Sequence, residues 1–376
     1  MLTATKIYLS SPHMGGSEQK FVNEAFATNW IAPLGPNVDG FENDIKHYLG
    51  GNDHVAVLSS GTASIHLALQ LLNVSHGDEV LCQSFTFSAS ANPILYQGAK
   101  PIFIDSESDT WNMSPELLEI AIKDRIEKHK KPKAIIAVHL YGMPYKANEI
   151  NAIAKKYEIP VIEDSAEAFG SSYFNQPCGT LSDFGILSFN GNKIITTSGG
   201  GALITKSKNL KDKAVFLSTQ SRDNAPHYEH SSVGFNYRMS NVLAGIGRGQ
   251  MEVLDDRVAS RRQNFEFYKK NLSQYSQISF LEEPKNFFSN RWLTCIETSS
   301  YELREQIRLT LLEDNIESRP LWKPMHMQPI FKDSMHYTDG TSEKLFDKGL
   351  CLPSGSNLNE NDLKRIVNII SKTPNL

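Results

Sequence analysis

Short apolar segments alternate with helical segments from about residue 40 to residue 250, and this alternation limits the possible folds more than any other feature. Continuous apolar runs of this length are typical of strands that are buried on both faces of a sheet. Such runs occur at Val55–Leu58, Glu79–Cys82, Pro101–Asp105, Ala134–Val138, Pro160–Asp164, Gly185–Phe189 and Gly201–Ile204. Helical patterns between them include Ala63–Leu72, Pro115–Lys128 and Lys146–Tyr157. The sequence therefore predicts an α/β fold with a mostly parallel sheet sandwiched by helices.

The pattern changes after residue 250. Met251–Asn271 is rich in charged residues and predicts a long helix that connects two parts of the chain. The remainder predicts a smaller α+β unit, which includes the proline-containing loop Arg319–His326. We therefore expect residues 1–250 to form a large α/β domain with an N-terminal arm. Residues 251–376 are expected to form the connector helix and a small C-terminal domain.

Charge and composition disfavour several kinds of partner. The net charge is −4 and the chain has no long Lys/Arg block, which argues against a nucleic-acid partner. No apolar run approaches the ~20 residues that span a bilayer, and Met1–Tyr8 lacks the apolar segment of a secretory signal. The cysteines form no CxxC pair, and no His/Cys spacing predicts a metal site. We expect a cytoplasmic protein with no membrane partner.

Polar clusters follow several of the predicted strands, at the sheet edge where α/β proteins bind ligands. Ser59–Ser64 forms a turn between a strand and a helix. Amide groups at a helix N-terminus point at the same space, and the helix dipole favours an anion there. An ordinary helix cap explains the same residues equally simply.

The next clusters add an aromatic side chain and a carboxylate. Phe87 lies in the polar segment Ser84–Ser90 and could stack on a flat heteroaromatic ring, although a core position is the alternative. Asp164 ends a strongly apolar strand, where a carboxylate is costly to bury without a cation. A protonated ring nitrogen would supply that cation. The alternatives are a carboxylate that is favoured by the dipole of a helix N-terminus, or a pair of metal-binding acids.

Lys193 follows the strand Gly185–Phe189, and the glycine triplet Gly199–Gly201 lets the backbone turn close to it. An amine in this position can form a Schiff base with a carbonyl cofactor. The order of anion turn, aromatic platform, strand-end Asp and Lys matches the needs of a pyridoxal-phosphate site. No GxGxxG follows the early strands and no GxxxxGK[ST] is present, so neither a nicotinamide nor a P-loop site is predicted.

The sequence resembles the DegT/StrS-type sugar aminotransferases, which are pyridoxal-phosphate enzymes of fold type I. The resemblance runs over nearly the whole chain. It is carried by Ile31–Pro36, Ser60–Ser64, Gly77–Val80, Thr86–Phe87, Pro101–Asp105, His139–Gly142, Glu163–Asp164, Ser188–Lys193, Asn236–Ser240, Trp322, Pro324, His326 and Leu352–Pro353.

This resemblance implies a role for each matching residue. Lys193 would hold the cofactor covalently and move protons, and Asp164 would pair with the ring nitrogen. Phe87 would stack on the ring. The phosphate would be bound by Gly61, Thr62 and Ser188, and also by Asn236 of the neighbouring subunit of a homodimer with shared active sites. L-Glutamate would donate the amine and leave as 2-oxoglutarate, with pyridoxamine phosphate formed in between, and a nucleotide-linked keto-sugar would accept it.

Finer features of the resemblance concern the sugar. Asn190–Asn192 resembles enzymes that aminate carbon four of the sugar. Ser11–Gly16 and Tyr228–His230 resemble the UDP-4-keto-6-deoxy-N-acetylglucosamine transaminases of the bacillosamine pathway, which serve surface glycan or glycoprotein sugar synthesis. Amination at carbon three, a GDP- or dTDP-linked sugar, and a non-enzymatic sensor or partner protein on the same fold are the alternatives.

Further residues are predicted near the reacting groups. Glu167 stands where relatives often have Gln or His, and the resemblance places it near the phenolic oxygen of the cofactor. Two close anions do not both stay ionised, so we expect Glu167 to be protonated or to share a proton. Candidates for sugar or diphosphate contacts are Trp30, Tyr237, Arg238 and His326. Arg238 is equally suited to pairing with an acid in the core.

Overall fold

The computed structural model describes residues 5–374 and residue 376. The helices are α1 (Glu18–Ala27), α2 (Pro36–Tyr48), α3 (Gly61–Leu71), α4 (Ser88–Tyr96), α5 (Pro115–Glu127), α6 (Ala147–Lys156), α7 (Lys208–Ser218), α8 (Asn241–Met251), α9 (Leu254–Leu272), α10 (Tyr301–Glu313), α11 (Thr341–Lys348) and α12 (Glu360–Ile370). The strands are β1 (His54–Leu58), β2 (Glu79–Gln83), β3 (Lys100–Ile104), β4 (Ala134–Val138), β5 (Val161–Asp164), β6 (Ser172–Tyr173), β7 (Gln176–Pro177), β8 (Phe184–Ser188), β9 (Gly201–Thr205), β10 (Ile278–Phe280), β11 (Phe287–Phe288), β12 (Thr294–Thr298), β13 (Arg319–Pro320), β14 (His336–Tyr337) and β15 (Gly349–Leu352).

The largest sheet has eight strands in the order β1-β9-β8-β5-β4-β2-β3-β14. All of its strands run in one direction except β9, which is antiparallel to β1 and β8. Parallel neighbours need a long crossover, usually a helix, and no helix separates β8 from β9. The predicted mostly parallel α/β fold is therefore confirmed, with one reversed strand where the helix is missing.

The sheet is buried on both faces, as its continuous apolar strands require. Along β9, Leu203 packs in the core that contains α3, whereas Ala202 and Ile204 pack in the core that contains α2. Successive side chains of a strand point to opposite faces, so a strand between two helical layers has to be apolar throughout. This is why the run Gly201–Ile204 carries no polar alternation.

The C-terminal part has its own antiparallel sheet, in the order β10-β12-β15-β13. Its core includes Tyr268, Ile307 and Ile366 from α9, α10 and α12. The connector helix predicted from Met251 begins at Leu254, because Met251 ends α8 and Val253 has non-helical φ and ψ of −120° and 9°. The strand β14 joins the edge of the large sheet beside β3, so C-terminal residues contribute to both sheets. The division at residue 250 stays a prediction.

Among the described residues, no helix has both the length and the apolar character needed to cross a bilayer. Residues 1–4 lie outside the described part of the chain, so the segment used above to predict the absence of a secretory signal is described only from residue 5 onward.

Candidate active site

A cavity of about 740 Å³ opens at the carboxyl ends of β1, β2, β5 and β8. Parallel strands place their ends at one sheet edge, which brings together polar clusters that are far apart in sequence. The predicted residues that line this cavity are Gly61, Thr62, Phe87, Asp164, Glu167, Ser188 and Lys193. Asn236 does not line it and is exposed elsewhere on the surface.

The N-terminus of α3 forms one end of the cavity. Ser60 caps the helix, since its Oγ accepts the Ala63 amide at 3.0 Å. The amides of Gly61 and Thr62 have no acceptor inside the helix because they belong to its first turn. A Cβ on Gly201 would come within 2.4 Å of the Gly61 nitrogen, so glycine is needed there to let β9 approach the helix. Ser188 lies beside the same turn, and this combination suits a phosphate group.

The glycine triplet acts through close packing rather than through unusual dihedral angles. In the loop Asn190–Gly200 the left-handed residue is Ser198, with φ of 70°. A Cβ on Gly200 would lie 2.3 Å from Thr197 Oγ1 and 2.5 Å from Met239 Cε. The expected sharp turn is therefore provided by Ser198, and the glycine at position 200 provides space.

Asp164 is 4% exposed and has no cationic partner among the described residues. Its carboxylate accepts hydrogen bonds from Ser90 Oγ at 2.6 Å and from the Ala166 amide at 3.2 Å. Ser90 Oγ also contacts Thr86 Oγ1 at 2.8 Å. Since Ser90 has one proton and gives it to the carboxylate, Thr86 is the donor in that second contact. A buried carboxylate that faces a cavity without a cation suits a protonated ring nitrogen.

Phe87 is 55% exposed, which rules out the core position considered above. Its ring lies 5.5 Å from that of Trp322, at an interplanar angle of 50°. Trp322 is held in turn by Tyr141, whose hydroxyl accepts the Trp322 amide at 2.8 Å. The exposed aromatic face is thus available to a flat ligand in the cavity.

Lys193 lies between a carboxylate and an aromatic ring. Its Nζ is 3.3 Å from Glu167 Oε1 and 4.4 Å from the centre of the Trp292 ring. Glu167 also accepts the Tyr141 amide at 2.7 Å. Burial raises the pKa of Glu167 to about 7, with the charge of Asp164 adding to the rise and Lys193 and the Tyr141 amide opposing it. The amine therefore has a neighbour that is ready to give or take a proton near neutral pH.

The predicted sugar-contacting residues lie outside this cavity. Trp30 and Arg238 line a separate surface pocket, of about 410 Å³. Arg238 donates to Glu42 and to the Val57 carbonyl, which is the core pairing considered as its alternative. The four assignments to substrate stay predictions.

Two of these residues are tied into polar networks. The Tyr237 hydroxyl is 3.2 Å from His66 Nδ1. His326 is buried, with Nδ1 2.6 Å from Ser84 Oγ and Nε2 3.1 Å from Glu343 Oε1. His326 therefore joins the end of β2 to α11.

Several residues that line the cavity are not predicted by the sequence. They come from the N-terminal arm and from the C-terminal part, and they are Leu9, Ser10, Trp292, Leu293, Glu317 and Arg319. None of them directly follows a strand of the large sheet. The residues predicted from the sequence lie at or after the ends of such strands. Among them, only Arg319 lies in a segment with a distinctive sequence, because it begins the proline-containing loop Arg319–His326.

Glu163, His139 and Cys178 lie close enough together to be considered as metal ligands. His139 Nδ1 accepts the Tyr145 amide at 3.0 Å, so Nε2 carries the proton and donates to Glu163 at 2.8 Å. The carboxylate of Glu163 also accepts amides of the loop that precedes β8. These hydrogen bonds use the lone pairs that a metal would need, so the cluster is structural.

Comparison with known proteins gives consistent matches over nearly the whole chain. The sequence profile of the DegT/DnrJ/EryC1/StrS aminotransferase family matches residues 12–371. The "Putative pyridoxal phosphate-dependent aminotransferase EpsN" of Bacillus subtilis (strain 168) is 51% identical, over 97% of this chain and 95% of that protein. "GDP-perosamine synthase" of Escherichia coli O157:H7 is 37% identical, over 96% of each chain. The "Putative sugar aminotransferase Spr1654 from Streptococcus pneumoniae, PLP-form" is 25% identical, with a TM-score of 0.90 over 98% of this chain and 100% of that one.

Proposed function

The chain belongs to the DegT/DnrJ/EryC1/StrS aminotransferase family, and on this basis we propose that it moves the amino group of L-glutamate to carbon four of a UDP-linked 4-keto-6-deoxy sugar. The general class of this enzyme is that of the pyridoxal-phosphate-dependent nucleotide-sugar aminotransferases of fold type I. The observation that carries the proposal is one cavity that holds the Lys193 amine, the Asp164 carboxylate without a cationic partner, and the open first turn of α3.

The residues of the cavity fit the cofactor. The first turn of α3 and Ser188 would hold its phosphate, Phe87 would cover one face of its ring, and Asp164 would keep its ring nitrogen protonated. When bound, pyridoxal phosphate supplies an electron sink for the carbon that loses its proton.

Lys193 is proposed to hold the cofactor and then to move a proton between two carbon atoms. Its side chain is only 11% exposed, so its amine is kept from bulk water during the transfer. Trp292 packs beside the amine and limits where it can swing. These contacts place one amine where it can serve as acid and as base in turn.

Glu167 is proposed to carry a proton in the resting enzyme. Its raised pKa, caused mainly by burial, makes a protonated carboxyl available near neutral pH. A protonated Glu167 would donate to the phenolic oxygen of the cofactor. If Glu167→Gln leaves both the absorbance titration of the bound cofactor and the pH–rate profile unchanged, this role is wrong.

The choice of sugar rests on sequence resemblance. Asn190 and Asn192, which belong to the motif that favours carbon four, line the cavity. The second candidate is a GDP-linked keto-sugar, because a relative named GDP-perosamine synthase is 37% identical over 96% of this chain.

A half-reaction screen tests the proposal. The bound cofactor is first converted to its amino form with L-glutamate, and UDP-, GDP- and dTDP-linked 4-keto-6-deoxy sugars are then added separately. We expect the UDP-linked sugar to restore the aldehyde-form absorbance fastest, and the aminated carbon to be carbon four by NMR. A faster GDP-linked sugar would favour the second candidate, and amination at carbon three would refute the position.

The control for this screen is Lys193→Ala. This variant should bind the cofactor without a covalent link and show no turnover, because no other lining residue offers an amine. Borohydride reduction of the wild type should fix the cofactor on Lys193. A wild-type enzyme with a linked cofactor but no reaction with L-glutamate would contradict the proposed function.

A further inference from the structure

The wall of the cavity is poor in cations. Its carboxylates are Asp164, Glu167 and Glu317, whereas Lys193 and Arg319 are the cationic side chains among its described lining residues. Lys193 is the reacting amine and already contacts Glu167. Every substrate of the proposed reaction carries an anionic group, which needs a cationic partner in a wall that also carries carboxylates. Arg319 is thus the other cation that the described lining residues of this chain offer to a substrate anion.

The guanidinium of Arg319 is oriented by hydrogen bonds that engage only part of its N–H groups. Its Nε and Nη2 are 3.0 and 2.9 Å from the same oxygen of Glu317, Oε1. The other oxygen of Glu317 accepts the Leu9 amide at 3.0 Å, so the N-terminal arm orients this carboxylate. The Arg319 side chain remains 69% exposed, which leaves further N–H groups of the fork open.

The segment that carries Arg319 is held at two points. It belongs to β13, which pairs with β15 through Cys351. Trp322 lies three residues further along and contacts Phe87 at 5.5 Å between ring centres. The segment that carries Arg319 is therefore anchored on both sides, as a substrate-binding group requires.

We propose that Arg319 receives a carboxylate of the amino donor, and this proposal rests on the proposed function. The carboxylates of an amino acid lie within a few bonds of the amine that reacts beside Lys193, so they must lie inside the lined cavity. The N–H groups of the guanidinium that Glu317 does not engage match the geometry of a carboxylate. The diphosphate of a nucleotide sugar carries more charge and lies beyond the sugar ring from the reacting carbon.

Arg319→Met tests the proposal in the cofactor-loaded enzyme, because it removes the charge and keeps most of the stem. We expect the second-order rate constant with L-glutamate, followed by cofactor absorbance in single turnover, to fall about 10- to 100-fold. The dissociation constant for 2-oxoglutarate, measured by calorimetry, should rise by a similar factor. Arg319→Lys should retain part of the affinity, because the charge stays while the fork is lost.

The sugar half-reaction and a matched variant complete the test. Reaction of the amino-form enzyme with the keto-sugar should change less than about twofold in Arg319→Met. Arg308→Met should leave both half-reactions unchanged, because Arg308 forms an equivalent pair with Glu305 on α10, outside the cavity lining. Loss confined to the sugar half-reaction would assign Arg319 to the diphosphate and overturn the proposal.

Unchanged rates and unchanged 2-oxoglutarate binding in Arg319→Met would also overturn it. A wild-type enzyme that does not react with L-glutamate refutes the proposed function instead. The two failures are therefore distinguishable, since the first requires a reactive wild type.

Discussion

Glu167 shows how one buried side chain links the chemistry of the site to the stability of the protein. It is buried beside Lys193 and the Tyr141 amide, and burial raises its pKa to about 7 from an ordinary value of 4.5. The folded protein therefore favours the protonated carboxyl more than the unfolded chain does. The stability that comes from this group is fully present below about pH 4.5 and is lost as pH rises through about 7.

We predict that Glu167→Gln removes this loss of folding stability with rising pH in the cofactor-free protein. The amide stays neutral at every pH, so between about pH 5 and about pH 8 the wild type should lose about 2.5 kcal/mol relative to the variant. Urea unfolding of both proteins at the two pH values measures the difference. Glu127→Gln, at an exposed position, should behave as the wild type does. Identical pH dependence in wild type and Glu167→Gln would show that the carboxyl titrates normally.

The residues that sequence reasoning could find share one property. Asp164 ends a buried strand and Lys193 follows one, so the direction of the strands alone brings them to the cavity. Trp292 and Arg319 lie in the C-terminal part, where no strand of the large sheet marks them. The sequence does not predict the partners of Arg238 either, because its contact with Glu42 joins residues nearly two hundred positions apart and leaves no local pattern.

At the scale of one element, α4 and the residues before it place two groups that are proposed to hold the cofactor ring. Phe87 precedes the first helical residue, and Ser90 lies in the first turn, with its side chain directed at Asp164. Thr86 holds Ser90 from the other side. One short segment therefore sets the distance between the aromatic platform and the carboxylate.

Ser90→Ala should weaken cofactor binding, because it removes the hydroxyl that holds the Asp164 carboxylate. Loss of a hydrogen bond to a charged group costs about 1.5–3 kcal/mol, so we expect the dissociation constant of pyridoxal phosphate to rise by about 10-fold or more. Titration of the cofactor-free protein, followed by absorbance, measures it. Ser88→Ala is the matched control on the same helix, since Ser88 makes no contact with Asp164. Equal affinity in both variants would limit Ser90 to packing.

Element types were largely predictable from periodicity, whereas element ends and directions needed tertiary information. The predicted strand Ala134–Val138 is observed with the same bounds, because its continuous apolar run ends at polar residues on both sides. The predicted helix from Met251 instead ends α8 there, since the break at Val253 is set by backbone geometry and not by composition. The reversal of β9 follows from the absence of a crossover helix between β8 and β9, because a parallel neighbour would need one.

At the scale of the whole molecule, the cavity is a junction of three distant parts of the chain. Ser10 of the N-terminal arm donates to the Asn192 carbonyl at 2.8 Å, next to Lys193. The Trp292 Nε1 donates to the same carbonyl at 2.7 Å. Buried Arg261 of α9 donates to Ser10 and to the Trp292 carbonyl. The lysine loop is therefore held by the arm and by the C-terminal part together, a contact that no sequence pattern predicts.

The exposed surface around Asn236 favours an assembly of two subunits. Asn236, predicted to reach a phosphate, is exposed and does not line the cavity of its own chain. Apolar side chains are exposed near it in sequence and beside Arg238, with Val233 at 83% and Leu34 at 56%. Exposed apolar groups of this kind are typical of surfaces that pack against another chain. We therefore propose a homodimer in which Asn236 of one subunit completes the cavity of the other.

Mixing two inactive variants tests this arrangement. Lys193→Ala removes the amine, and Asn236→Asp places a charge that repels the phosphate, so each variant alone should have little activity. If Asn236 acts across the dimer, a mixed dimer contains one cavity with both native residues. Reassociation of equal amounts should then restore about a quarter of the wild-type rate, because about half of the dimers are mixed and each has one intact site. If Asn236 acts within its own chain, no cavity in the mixed dimer has both residues, and mixing should restore nothing; co-purification of two differently tagged variants confirms that mixed dimers form.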